Sequence, residues 1–143
     1  MSLLPESAIF YHIYPLGLSG APRQNDLVSS PINRLRSIHP WLEHAARLGC
    51  NAVYLGPLFE AGTHGYDTVD YYQVDRRLGT GKDLADLVRN AHELGLRVVL
   101  DGVFNHVGRQ FWAFRDVQEH GPQSPYAGWI DSLRFGHHNS MGD

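Results

Sequence analysis

Two short stretches concentrate side chains able to bind a polar ligand or move a proton. THGYDTVDYY, residues 63–72, brings His64, Tyr66, Asp67 and Asp70 close together. RVVLDGVFNHVG, residues 97–108, is a strand-forming apolar run that carries Asp101 and then the pair Asn105 and His106 at its far end. A purely structural strand has no use for that polarity. Imidazoles and carboxylates hold hydroxyls or transfer protons, and a tyrosine adds a flat apolar face with a polar tip. Each residue also has a structural reading. Asp101 suits a buried carboxylate paired with an arginine, Asn105 suits unpaired loop backbone, Tyr66 suits core packing, and a lone histidine is more often structural than catalytic. The placing of His106 beside Asn105 at a strand end favours a role in a site. Asp70 and Tyr71 read as shaping their loop. His137 and His138 read as solvated, with no partner at zinc spacing.

Positioning these residues falls to three strand candidates. AIFYHIYPLG, residues 8–17, is rich in Ile, Phe and Tyr and stops at Pro15 and Gly17. NAVYLGPLF, residues 51–59, has the continuous apolar character of a strand covered on both faces. LRVVLDGVF, residues 96–104, is the third. A first helix is expected between them, with Ser37 as cap, Pro40 in its first turn, a stripe of Ile38, Leu42, Ala45, Ala46 and Leu48, and Gly49 as its end. Residues 60–80 read as a long polar loop. Thr80 then caps a second helix, with Asp83 as the capping-box acid, a buried face of Leu84, Leu87, Val88, Ala91 and Leu94, and Gly95 as its stop. Beyond Gly108 the chain turns Gly-, Pro-, Ser- and His-rich with scattered aromatics. A short helix is expected over residues 111–118, and irregular chain after it.

The order β-α-β-α-β implies parallel pairing and right-handed crossovers. A doubly wound nucleotide fold should show a Gly-rich turn after its first strand, and YPLGLSGAPRQND is not one. The alternative is a (β/α)8 barrel, which needs about 250 residues. The fold class expected is therefore α/β, the first three βα units of an incomplete (β/α)8 barrel. Residues 1–107 would form the N-terminal βαβαβ portion, and residues 108–143 would begin a loop-rich insertion after the third strand. In both architectures ligands meet the C-terminal strand ends, so the two polar stretches would converge on one mouth.

Bulk properties bound the function. The chain has 143 residues, 43% of them hydrophobic, enough for one packed domain. A net charge of -3 gives no reason to expect nucleic acid or an anionic membrane as partner. No apolar run approaches the roughly 20 residues of a membrane span. The start, MSLLPESAIF, lacks the basic region and cleavage site of a secretory leader, and the single Cys50 suits a reducing compartment, so the expected location is cytoplasmic.

DGVFNHVG resembles the first signature region of the alpha-amylase family, glycoside hydrolase family 13, with its D-x-x-x-N-H pattern at the end of the third barrel strand. THGYDTVDYY resembles the segment after that family's second strand, IFYHIYPLG its first strand, and SPYAGWI a stretch seen in neopullulanase-like and alpha-glucosidase-like members. The resemblance implies that Tyr66 stacks on the sugar next to the scissile bond, while His64 and His106 hold its hydroxyls. Asp67, Asp101 and Asn105 would support them from behind, Asp101 through an arginine. Asn105 is a calcium ligand in calcium-dependent members, so the resemblance requires no cofactor but admits calcium.

The same resemblance sets a limit. Retaining glycosidases use a nucleophilic carboxylate and an acid/base carboxyl about 5 Å apart. The family carries these on its fourth, fifth and seventh strands, and nothing like G-F-R-x-D occurs here. Residues 1–143 are therefore expected to hold part of a substrate-binding wall for alpha-glucans or alpha-linked oligosaccharides, and no catalytic residue. The alternative is a non-catalytic α/β module that binds sugar or a partner. A three-stranded piece would also leave sheet edges open, which predicts self-association.

Overall fold

Apolar spacing decides where the two long helices lie. A computed structural model of the chain describes residues 7–136. Leu35, Ile38, Leu42 and Ala45 are fully buried, on a 3-10 turn at Leu35–Ile38 and the helix α2 (His39–Arg47) that follows it. Leu87 and Ala91 are buried on α3 (Gly81–Glu93). Both faces pack on a sheet of three parallel strands, β1 (Phe10–Ile13), β2 (Ala52–Leu55) and β5 (Arg97–Leu100), with β2 in the centre. Ala52, Val53 and Leu55 of β2 are buried, as the continuous apolar run required. The parallel α/β arrangement matches the expectation.

The capping box at α3 is formed as read. Thr80 Oγ1 accepts from the Asp83 backbone N–H, and the Asp83 carboxylate accepts from the Thr80 N–H at 2.8 Å. Gly49 (φ +84°) and Gly95 (φ +77°) follow the two helices in the left-handed region, where a side chain would be strained.

Three local expectations need correction. Ser37 does not cap α2. It sits inside the 3-10 turn, its hydroxyl donates to the Arg34 carbonyl at 2.8 Å, and α2 is preceded by Ile38 at the cap position, with no side-chain cap. Pro15 does not simply end the first strand but opens a short helical turn, α1 (Pro15–Leu18), where its missing N–H costs nothing. The third strand is shorter than its apolar run, stopping at Leu100, and Phe104 lies 79% exposed beyond it.

The largest correction concerns residues 60–80. They are not a polar loop. β3 (Phe59–Ala61) pairs antiparallel with β4 (Thr68–Val74), with irregular register on both sides of Glu60. The helix expected at 111–118 forms as α4 (Trp112–His120). His137 and His138 lie outside the described residues.

Candidate functional site

Parallel register brings three chain segments side by side at the C-terminal end of the sheet. The Gly56 N–H donates to the Ile13 carbonyl at 2.8 Å, and the Asp101 N–H to the Leu55 carbonyl at 2.9 Å. Tyr14, Gly56 and Asp101 therefore sit next to one another. The Tyr14 ring lies over Gly56, where a Cβ would stand in ordinary contact, 3.4 Å from Tyr14 Cδ2.

The turn between β3 and β4 then folds over this edge. Tyr14 donates its hydroxyl to the His64 carbonyl at 2.8 Å. Gly65, at φ +93°, lets the turn press onto Pro57, where a Cβ would come within 2.8 Å of the proline Cβ. His64 Nδ1 accepts from the Tyr66 N–H at 3.2 Å, which leaves Nε2 as the ring nitrogen that can donate outward. Asp67 turns one oxygen to the Thr63 hydroxyl at 2.9 Å. Its Oδ1 has no hydrogen-bond partner and stands 3.6 Å from His64 Nδ1, too far for a hydrogen bond while that nitrogen serves Tyr66.

The segment after β5 closes against the same turn. Gly108 donates its N–H to the Thr68 carbonyl at 2.8 Å, and a Cβ on Gly108 would overlap the Asp67 carbonyl. That close approach carries His106 to Tyr66. His106 Nε2 lies 2.9 Å from the Tyr66 carbonyl oxygen, and because a carbonyl only accepts, Nε2 bears a proton in this contact and Nδ1 is the ring nitrogen left for other partners. Tyr71 shapes this join, donating its hydroxyl to the Val103 carbonyl. Asp70, read as shaping a loop, lies instead within β4, accepting from the Tyr72 N–H and the Gln73 amide.

His64, Tyr66, Asp67 and His106 thus form one group, with Tyr66 41% exposed at its centre. The two imidazoles border different concavities. His64 lines one of about 520 Å³ together with Tyr14, Gln24 and Thr63. His106 and Asn105 line a larger one of about 850 Å³, whose walls include Tyr71, Phe104, Trp112 and Trp129. Asp101 is half-buried and engages the Tyr54 hydroxyl, and this bond, after burial, raises the Tyr54 phenol above its usual range. Among the described residues no arginine forms an ion pair with Asp101. Burial also raises the Tyr14 phenol, with the Arg77 charge opposing it.

Tyr14 and Tyr54 were not singled out from sequence. Tyr14 had a usable signal, a polar tip at the very end of a parallel strand, whereas Tyr54 lies inside β2 and had none. Among the described residues no group of three or more His, Cys, Asp or Glu side chains is placed to hold a metal ion. Asn105 alone offers one side-chain oxygen where calcium takes roughly six to eight, so these residues do not make a calcium site.

Comparison with known proteins agrees with this architecture. A model described as alpha amylase, catalytic domain, matches residues 24–140. A cyclomaltodextrinase from Bacillus sp is 41% identical over 139 residues, covering 87% of this chain and 25% of that protein. Neopullulanase 2 from Thermoactinomyces vulgaris is 39% identical over 110 residues, covering 76% of this chain and 18% of that protein. Among solved structures, the cyclic alpha-maltosyl-(1-->6)-maltose hydrolase from Arthrobacter globiformis in complex with maltose aligns at TM-score 0.73 and 37% identity, covering 90% of this chain and 32% of the other. The chain spans well under half the length of each relative. With the catalytic-domain match running over most of its residues, this chain belongs to the alpha-amylase family.

Proposed function

We propose that residues 1–143 are the N-terminal part of a retaining glycoside hydrolase acting on alpha-glucans or alpha-linked oligosaccharides. In this reading β1, β2 and β5 are the first three strands of a (β/α)8 barrel. Residues 1–107 belong to the barrel, and residues 108–143 begin the insertion after its third strand. The parent reaction is a double displacement through a covalent glycosyl-enzyme. Its nucleophile and acid/base carboxyls lie on later strands, so residues 1–143 alone bind sugar and do not cleave it.

The observation that carries the reading is the 2.9 Å bond from His106 to the Tyr66 carbonyl, which joins the two signature segments into one surface at the strand ends. On that surface the exposed Tyr66 ring stacks on the C–H face of a sugar. The Nε2–H of His64 donates to one hydroxyl, and Nδ1 of His106 accepts from another. Asp67, Asp101 and Asn105 support them, Asp101 through Tyr54 within this chain. A cytoplasmic location and association of the chain through its open β1 and β5 edges belong to the same proposal.

An assay of maltooligosaccharide cleavage by the 143-residue polypeptide, beside one by a longer product of the same reading frame, tests this directly. Cleavage by the longer product and none by residues 1–143 is the expected result. Cleavage by residues 1–143 would overturn the claim that the catalytic carboxyls lie elsewhere.

A further inference from the structure

Arg76 and Arg77 follow one another in sequence and do different work. Arg76 Nε pairs with Glu60 at 2.5 Å on the β3 side of the hairpin. Arg77 is 5% exposed and reaches three separate parts of the chain. Its Nε and Nη2 grip the two oxygens of the fully buried Asp75 at 2.9 and 2.6 Å. Asp75 is itself fixed, accepting from the Ala61 N–H at 3.2 Å and the Arg77 N–H at 2.9 Å. The remaining donors go to backbone. Nη1 donates to the Thr63 carbonyl at 2.6 Å and to the Pro22 carbonyl at 3.0 Å, and Nη2 to the Ala61 carbonyl at 3.3 Å.

Thr63 is the residue directly before His64, and its hydroxyl holds Asp67. One guanidinium therefore anchors the start of the turn that carries His64 and Tyr66, and it also lines the concavity that His64 borders. We propose that Arg77 is a positioning residue for the sugar-binding turn 63–67, holding it against the loop at Pro22 and so setting where the His64 and Tyr66 rings stand. The inference rests on the reading of that turn as a sugar contact. A planar fork is needed for this task. A lysine ammonium keeps the charge beside Asp75 but cannot reach both carboxylate oxygens and the two backbone carbonyls on opposite sides.

Three measurements test it. In the unsubstituted chain, the Arg77 Nε–H and the Tyr66 amide should exchange with solvent through one shared opening, with equal protection; independent opening overturns the inference. Arg77→Lys should weaken maltotetraose binding by about tenfold and move the Tyr66 and His64 ring resonances, while Arg76→Lys leaves both unchanged. Unaltered affinity and ring resonances in Arg77→Lys would overturn it. In Arg77→Ala, added methylguanidinium should restore binding where methylamine does not; a restored fold without restored binding again counts against it. A wild-type chain that binds no maltotetraose would defeat the functional reading instead, and leave the exchange and resonance arms to decide the positioning role.

Discussion

The parallel sheet and the β3–β4 hairpin are both tightly held, but by opposite means. The sheet is held by apolar packing, with Leu35, Ile38, Leu42, Val53, Leu55 and Leu87 almost wholly buried between strands and helices. The hairpin is short and irregular, and it is braced by charge. Glu60 within it and Asp75 and Arg77 directly after it are buried charged residues, and each is bonded to backbone on a neighbouring segment or on the opposite strand. Apolar packing is non-directional and tolerates small slips, whereas a network of charged hydrogen bonds fixes orientation. The turn 63–67, proposed above to face the sugar, is attached to the second kind of structure. That division suits a site whose rings must stand in set places.

The contrast can be broken from the hairpin side with the largest effect. Asp75→Ala would leave Arg77 buried without its carboxylate and should cost about 3–5 kcal/mol, read by denaturant unfolding. On the sheet side Leu87→Ala opens a cavity in the core and should cost about 2–5 kcal/mol. The two differ in kind as well as size. Asp75→Ala should disturb the His64 and Tyr66 resonances, and Leu87→Ala should lower stability while leaving them in place. Gly108→Ala tests the join between the regions. Its methyl would push against the Asp67 carbonyl, costing about 1–3 kcal/mol, and loss of the His106 to Tyr66 contact should appear in the His106 ring signals.

Two smaller effects sharpen the comparison. Thr80→Ala removes half of the capping box on α3 and should cost about 1 kcal/mol, with no change in the hairpin. Asp26, on the loop that packs against the hairpin, is held down from the ordinary 3.8 to about 2, chiefly by the Ser29 hydroxyl. A depressed carboxyl contributes its stability above its unfolded value and loses it as the pH falls through about 2. Ser29→Ala should raise the Asp26 titration midpoint toward 3.8, as followed by NMR.

The same division explains what was legible in the sequence. Leu42, Ala45, Leu87 and Ala91 recur at helical spacing, and the apolar run of β2 is continuous, so local pattern alone placed α2, α3 and the central strand. Thr80 and Asp83 sit three residues apart and announce their own capping box. The hairpin has no such period, because its pairing crosses a turn and slips register at Glu60. No local pattern marks Arg77, for the same reason: its partners Pro22 and Thr63 lie far from it in the chain, and only folding brings them together. His64, Tyr66 and His106 were singled out as candidates by type and strand-end position. Their grouping depends on two close approaches, at Gly65 and Gly108, that spacing does not reveal.

The central claim is that Tyr66, His64 and His106 form one sugar-binding surface. Titrating the chain with maltotetraose while following the ring resonances of these three residues tests it most directly. Saturable shifts at all three with a single dissociation constant, lost in Tyr66→Ala, are the result predicted. Shifts absent from these rings, or confined to Trp112 and Trp129 in the larger concavity, would contradict it.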